Sequence, residues 1–255
     1  MKSESYYPPV DNPDEQLPEE KTEFPPVFSV QERNAMQRAA DNFINQAHEQ
    51  GFDSLVFLDR SARPFSHLIL ERWKARFPDE QPPDVKFVKI GREMYSPRGS
   101  FEYPTDDKIK DQYAEQIHET FIQPNKKETY FAGKKVLICD EYCGTGGTLK
   151  FAKDLFQRAI GHEAKIIGIG ALSGTNPFHG KENKNFIHPL SLLSLPASGI
   201  DAPITETDSI LVAPLSKHQS LKNNPEYTSL ENKKYTAAIK EIKEIARENL
   251  PEDKK

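Results

Sequence analysis

The chain has 255 residues, a length that suits one large domain or one domain with appendages. Hydrophobic residues are 36% and charged residues 29%, so a core can fill only if part of the polarity sits in tails. The formal net charge of −5 weighs against a general nucleic-acid coat, and no stretch approaches the about 18 apolar residues that span a bilayer.

Residues 1–27 carry Pro8, Pro9, Pro13, Pro18, Pro25 and Pro26 among many acids. Such a segment cannot bury a core and reads as a disordered or surface-wrapping arm. Its start, MKSESYYPPV, lacks the apolar core of a secretory signal, so a cytoplasmic protein with no membrane partner is expected. Ser29 and Glu32 have capping-box spacing. Ala39, Phe43 and Ala47 continue a helical stripe to about Gln50, and Gly51 stops it. SLVFL (54–58) is a short apolar strand, followed by the charged loop DRSARP (59–64). FSHLILERWKARF (65–77) is helical, with Leu68, Ile69, Trp73 and Phe77 on one side, and Pro78, Pro82 and Pro83 break it. VKFVKIG (85–91) alternates apolar and basic residues as a second strand. Residues 92 to about 112 are polar and irregular, and a helix is expected over 110–122.

KKVLICD (134–140) is the third strand. TLKFAKDLFQRAI (148–160) is a helix with Leu149, Ala152, Leu155, Phe156 and Ala159 inward and Gly161 as its stop. KIIGIGAL (165–172) is a fourth strand. Residues 176–215 read as a smaller excursion that returns to the sheet. Tyr235, Ile239, Ile242, Ala246 and Leu250 mark an amphipathic helix, expected to pack on the domain. The alternation implies an α/β fold: a mostly parallel sheet flanked by helices, with a small hood and a C-terminal helix. The expected division is an arm at 1–27, a main domain at 28–215 and a helical extension at 216–255. Ligands of such sheets bind beyond the carboxyl ends of the strands, which directs attention to the loops 59–64, 91–100, 140–148 and 173–180.

VLICDEYCGTGGTLKFA (136–152) is the most informative stretch. Backbone N–H groups at a helix start favour an anion. Gly144, Gly146 and Gly147 allow close approach, and Thr145 and Thr148 add hydroxyls. Asp140 and Glu141 cannot hold phosphate, but they accept hydrogen bonds from a sugar diol or hold a metal-bound sugar. Cys139 reads as a buried strand residue and Cys143 as a small loop residue. Neither a disulfide nor a zinc site is expected of them. Leu149 follows Thr148 where a Walker A loop and the dinucleotide fingerprint need other residues, so both fail. DEYCGTGG partly resembles the glycine loop of methyltransferases, but Tyr142 replaces its first glycine and KIIGIGALSG offers no acid for a cofactor ribose.

The same stretch resembles the signature of type I phosphoribosyltransferases: an apolar strand, two acids, three variable residues, then Thr-Gly-x-Thr. Asp140, Glu141, Thr145, Gly146, Gly147 and Thr148 stand in register with it. Recognisable resemblance covers roughly 50–175. It implies that the acids contact the ribose hydroxyls of phosphoribosyl pyrophosphate, and that the loop with Cys143 and Gly144 holds the 5-phosphate. It implies pyrophosphate binding by the loop after the first strand, here Arg60, Ser61, Ala62 and Arg63, with Lys89 and Arg92 after the second. The segment 93–110, with Arg98, resembles in position the loop that closes over this active site. Phe178 and His179 are the candidate acceptor contacts, and they do not assign a base. The implied reaction is pentosyl transfer in nucleotide metabolism, with Mg2+ brought mainly by the substrate. The family is often dimeric, which makes a homodimer an open expectation. A non-catalytic regulatory module on the same fold and, further off, a methyltransferase remain alternatives.

Overall fold

The structure is a computed structural model that describes residues 27–58, 62–90, 103–174, 186–187, 210–212 and 225–248. Helix α1 spans Val30–Glu49, and its capping box is formed as the spacing predicts. The Ser29 hydroxyl accepts from Glu32 N–H (3.3 Å), and Ser29 N–H donates to the Glu32 carboxylate (2.7 Å). Strand β1 is Ser54–Leu58, with every residue buried. Helix α2 is Arg63–Arg76, starting two residues earlier than expected. Pro64 sits in its first turn, where a missing N–H costs nothing. Strand β2 is Asp84–Ile90, and helix α3 is Asp107–Phe121. The α3 helix also starts early, because the Asp106 carboxylate caps it by accepting from Lys108 N–H (2.8 Å).

Strand β3 is Lys135–Cys143, helix α4 is Gly147–Ile160 and strand β4 is Ile166–Gly174. Short strands β5 (Phe186–Ile187) and β6 (Ile210–Val212) precede the last helix, α5 (Pro225–Arg247). One six-stranded parallel sheet runs in the order β5-β4-β3-β1-β2-β6. The excursion after β4 thus touches the sheet at both edges, while most of the expected hood lies outside the described residues.

Alternation along the strands divides the core in two. Leu55 and Phe57, with Leu137 and Cys139, pack under α1, α2 and α5. Val56 and Leu58, with Val136 and Ile138, pack under α3 and α4. The inward stripe predicted for α4 is buried as expected. Ala238, Ile242, Ile245 and Ala246 of α5 are buried in the first cluster, so this helix packs on the domain. Arg72 of α2 holds it there. The guanidinium forks onto Asp41 of α1 (2.7 and 2.6 Å) and donates to the Ala246 and Glu248 carbonyls (3.2 and 3.1 Å).

The chain passes from β1 to β2 on one side and then crosses back to β3 on the other. The strand order therefore reverses between β1 and β3. Crevices form at such reversals, at the carboxyl ends of the strands.

Candidate active site

β3 carries the acids to that end. The sequence reading stops this strand at Asp140 and places Cys143 in a loop; the ladder with β4 instead continues to Tyr142–Ser173 and Cys143–Gly174. Gly174 is the reason. Its φ is +114°, and a Cβ there would lie 2.1 Å from the Cys143 carbonyl oxygen. Only glycine lets β4 come this close, so pairing runs past the acids.

Asp140 is buried, and its Oδ1 accepts from Glu141 N–H (3.0 Å). Ser173 Oγ donates to the Glu141 carbonyl (3.1 Å) and fixes the backbone between the acids and the loop. Glu141 Oε2 is buried and has no hydrogen-bond partner among the described residues. A carboxylate oxygen in that state costs free energy unless a donor or a cation meets it.

Residues 144–146 then turn the chain into α4. Gly146 is the N-cap in the left-handed region (φ 72°, ψ 12°), and no side chain caps the helix. The first-turn N–H groups have no intrahelical acceptor. Gly147 is different. A Cβ there would touch only Tyr103 at 3.6 Å and Thr145 at 3.7 Å, which is ordinary contact. Packing within the described chain does not demand that glycine.

Both halves face one cavity of about 400 Å³, within the range of small-molecule sites. Residues 140–149 line it together with Leu58, Ile90 and Tyr103. Tyr103 is a lining residue that the sequence reading passes over. Its ring stacks on Phe151 (4.6 Å between centroids), and its hydroxyl donates to Thr148 Oγ1 (2.6 Å). An aromatic beside Pro104, in a segment that also carries Tyr95 and Phe101, is the signal it leaves in the sequence.

The family model for the phosphoribosyl transferase domain matches residues 29–185, more than half of the chain. The chain belongs to the phosphoribosyl transferase domain family. No curated protein matches it. Among solved structures, it is similar to a purine phosphoribosyltransferase from Pyrococcus horikoshii (16% identity, 72% of this chain and 93% of that one, TM-score 0.36). It is also similar to a Staphylococcus aureus hypoxanthine phosphoribosyltransferase (15%, 76% and 85%, TM-score 0.36). A third is the Trypanosoma cruzi hypoxanthine enzyme in complex with IMP (12%, 73% and 76%, TM-score 0.33). At these scores the likeness says nothing of which base this chain takes.

Within this phosphoribosyl transferase domain, Asp140 to Thr148 all line the one cavity. Of the basic candidates, the two that are described, Arg63 and Lys89, are not among its lining residues. Ala62 is buried, and its N–H donates to the Leu58 carbonyl (3.3 Å) rather than pointing at a ligand. Arg63 lies 4.3 Å over the Phe87 ring, and Lys89 shares the β2 face of Phe87, opposite Ile90. No basic side chain among the described residues lines the cavity. Arg60, Ser61, Arg92, Arg98, Phe178 and His179 lie outside the described residues. Burial and the neighbouring Asp140 push the Cys143 thiol up to about 11, and burial raises Cys139 well above its ordinary value. Both are free thiols, and both stay protonated near neutral pH.

Proposed function

We propose that this phosphoribosyl transferase domain binds phosphoribosyl pyrophosphate in the cavity at β3 and transfers its ribose 5-phosphate to a nitrogenous base. The observation that carries this reading is the buried Glu141 Oε2, without a partner among the described residues, in one cavity with the uncapped start of α4. A ribose hydroxyl is a donor for the first, and a phosphate monoester is an acceptor for the second. One sugar phosphate supplies both.

In the reaction, the bond from ribose carbon 1 to the pyrophosphate oxygen breaks and a bond to the base nitrogen forms. The base nitrogen's proton passes to solvent or to a carboxylate. Asp140 and Glu141 orient the ribose and favour the positive charge that develops on its ring. Gly144 to Thr148 anchor the 5-phosphate. Tyr142, 41% exposed in the lining, offers an aromatic face to a planar base. The hard oxygen set of Asp140 and Glu141 also suits Mg2+ carried by the substrate, which, when bound, supplies charge neutralisation at the pyrophosphate.

The second reading is a regulatory module that binds the sugar phosphate without turnover. The positions of Arg63 and Lys89 favour it, since neither reaches the cavity to meet a leaving pyrophosphate. Calorimetry with phosphoribosyl pyrophosphate and Mg2+ tests the shared claim; absence of binding at millimolar ligand rejects both readings. Pyrophosphate release across a panel of bases separates them. Glu141→Gln removes an acceptor from the ribose and is expected to weaken binding by about tenfold. The same change breaks no hydrogen bond of Oε2 among the described residues, so the melting temperature should not fall.

A further inference from the structure

At the amino ends of β3 and β4, far from the cavity, His118, His162 and Glu163 meet. Asp140 lies five residues along β3 from Lys135, so roughly 17 Å of extended strand separates the amino end of β3 from the acids at 140–141. His118 lies in the last turn of α3, and His162 and Glu163 follow the end of α4. His118 Nε2 is 3.0 Å from Glu163 Oε1, and His162 Nε2 is 3.4 Å from the same oxygen. All three ligand atoms lie within 4.8 Å of one another.

We propose that His118, His162 and Glu163 form a binding site for a divalent transition-metal ion of the zinc type. A tetrahedral zinc ion with bonds of about 2.0–2.1 Å keeps its ligand atoms about 3.3 Å apart, and the two measured separations bracket that value. Two imidazoles in the ligand set suit zinc and nickel rather than magnesium, which an all-carboxylate set would favour. The carboxylate is already oriented. Glu163 Oε2 accepts from Thr129 N–H (2.7 Å) and Thr129 Oγ1 (2.6 Å), which turns Oε1 toward both rings. Outer partners of this kind fix metal ligands in place. The Glu163 carbonyl is held as well, by Gly133 N–H at 2.8 Å. The carboxyl ends of α3 and α4 converge here, and their dipoles add negative potential. His162, 69% exposed, can swing to complete the set, and water takes the fourth corner. The ion would tie α3 to the α4–β4 turn with no part in the chemistry at β3.

The test uses untagged, full-length protein treated with a chelator. Co2+ is titrated in and followed by visible absorption, with Zn2+ as competitor. The expected result is one equivalent bound with micromolar affinity, displaced by Zn2+ and unaffected by millimolar Mg2+. His162→Ala, at an exposed position, should weaken Co2+ at least tenfold while leaving phosphoribosyl pyrophosphate binding unchanged. Thr129→Val should weaken it tenfold to a hundredfold. A lack of any cobalt spectrum below millimolar ion, or affinity that survives the His118→Ala, His162→Ala double change, overturns the site and leaves the cluster as a hydrogen-bonded staple.

Discussion

Glu141 and Gly174 show two ways in which one residue serves the site. Glu141 leaves an oxygen with no partner in the described chain, a cost in the fold that a ligand can repay. Gly174 makes the position possible, since its φ of +114° and contact with the Cys143 backbone admit no side chain. Gly174→Ala should cost about 3 kcal/mol, from backbone strain and collision together. That lowers the melting temperature by roughly 5–10 °C in a domain of this size. The acids and the glycine-threonine loop were legible in the sequence because their residue types state their chemistry. Gly174 was not, because its need arises from a strand brought alongside by pairing. Tyr103 was hidden for the same reason: its partners Thr148 and Phe151 lie some 45 positions away.

At the level of elements, α1, the four main strands, α2 and α4 were readable from periodicity and caps, within a few residues at their ends. What the sequence could not give was the clamp between α2 and α5. Arg72 is 4% exposed and joins Asp41 to the final carbonyls of α5. Two substitutions there should differ. Arg72→Met leaves Asp41 paired with Arg76 (2.8 Å) and should cost about 2 kcal/mol. Asp41→Ala strands a buried guanidinium and should cost about 3–5 kcal/mol. Urea denaturation checks the order. His67, on α2, adds a pH dependence. Burial, with Lys243 of α5 and Arg63 acting against the modest pull of Glu71, lowers it to about 4. Between pH 6.5 and 4 the unfolded chain takes up a proton that the folded chain refuses, so stability is complete above pH 6.5 and falls toward pH 4. His67→Gln should remove about 2–3 kcal/mol of that acid sensitivity, measured as melting temperature against pH.

For the whole molecule, the strand order sets where the chemistry lies. Reversal between β1 and β3 puts the cavity at one end of the sheet, and the turns at the other end gather His118, His162 and Glu163. The α/β class followed from the alternation of elements. The absence of Arg63 from the cavity did not, because spacing cannot say that a basic side chain will lie over an aromatic ring. Truncation after residue 224 should leave a chain that exposes the α1–α2 face; limited proteolysis should cut it at ratios that spare the full protein. One consequence concerns synthesis. Glu241 accepts from Val27 N–H (2.7 Å), Phe28 N–H (3.2 Å) and the Arg33 guanidinium (2.5 Å), so the first described residues close on almost the last. At 5–20 residues per second, a ribosome needs roughly 10–40 s to travel from α1 to its partner. For that interval the α1–α2 face that α5 covers in the finished domain stays open, although α2 and β4, made earlier, can already pack on the α1 stripe.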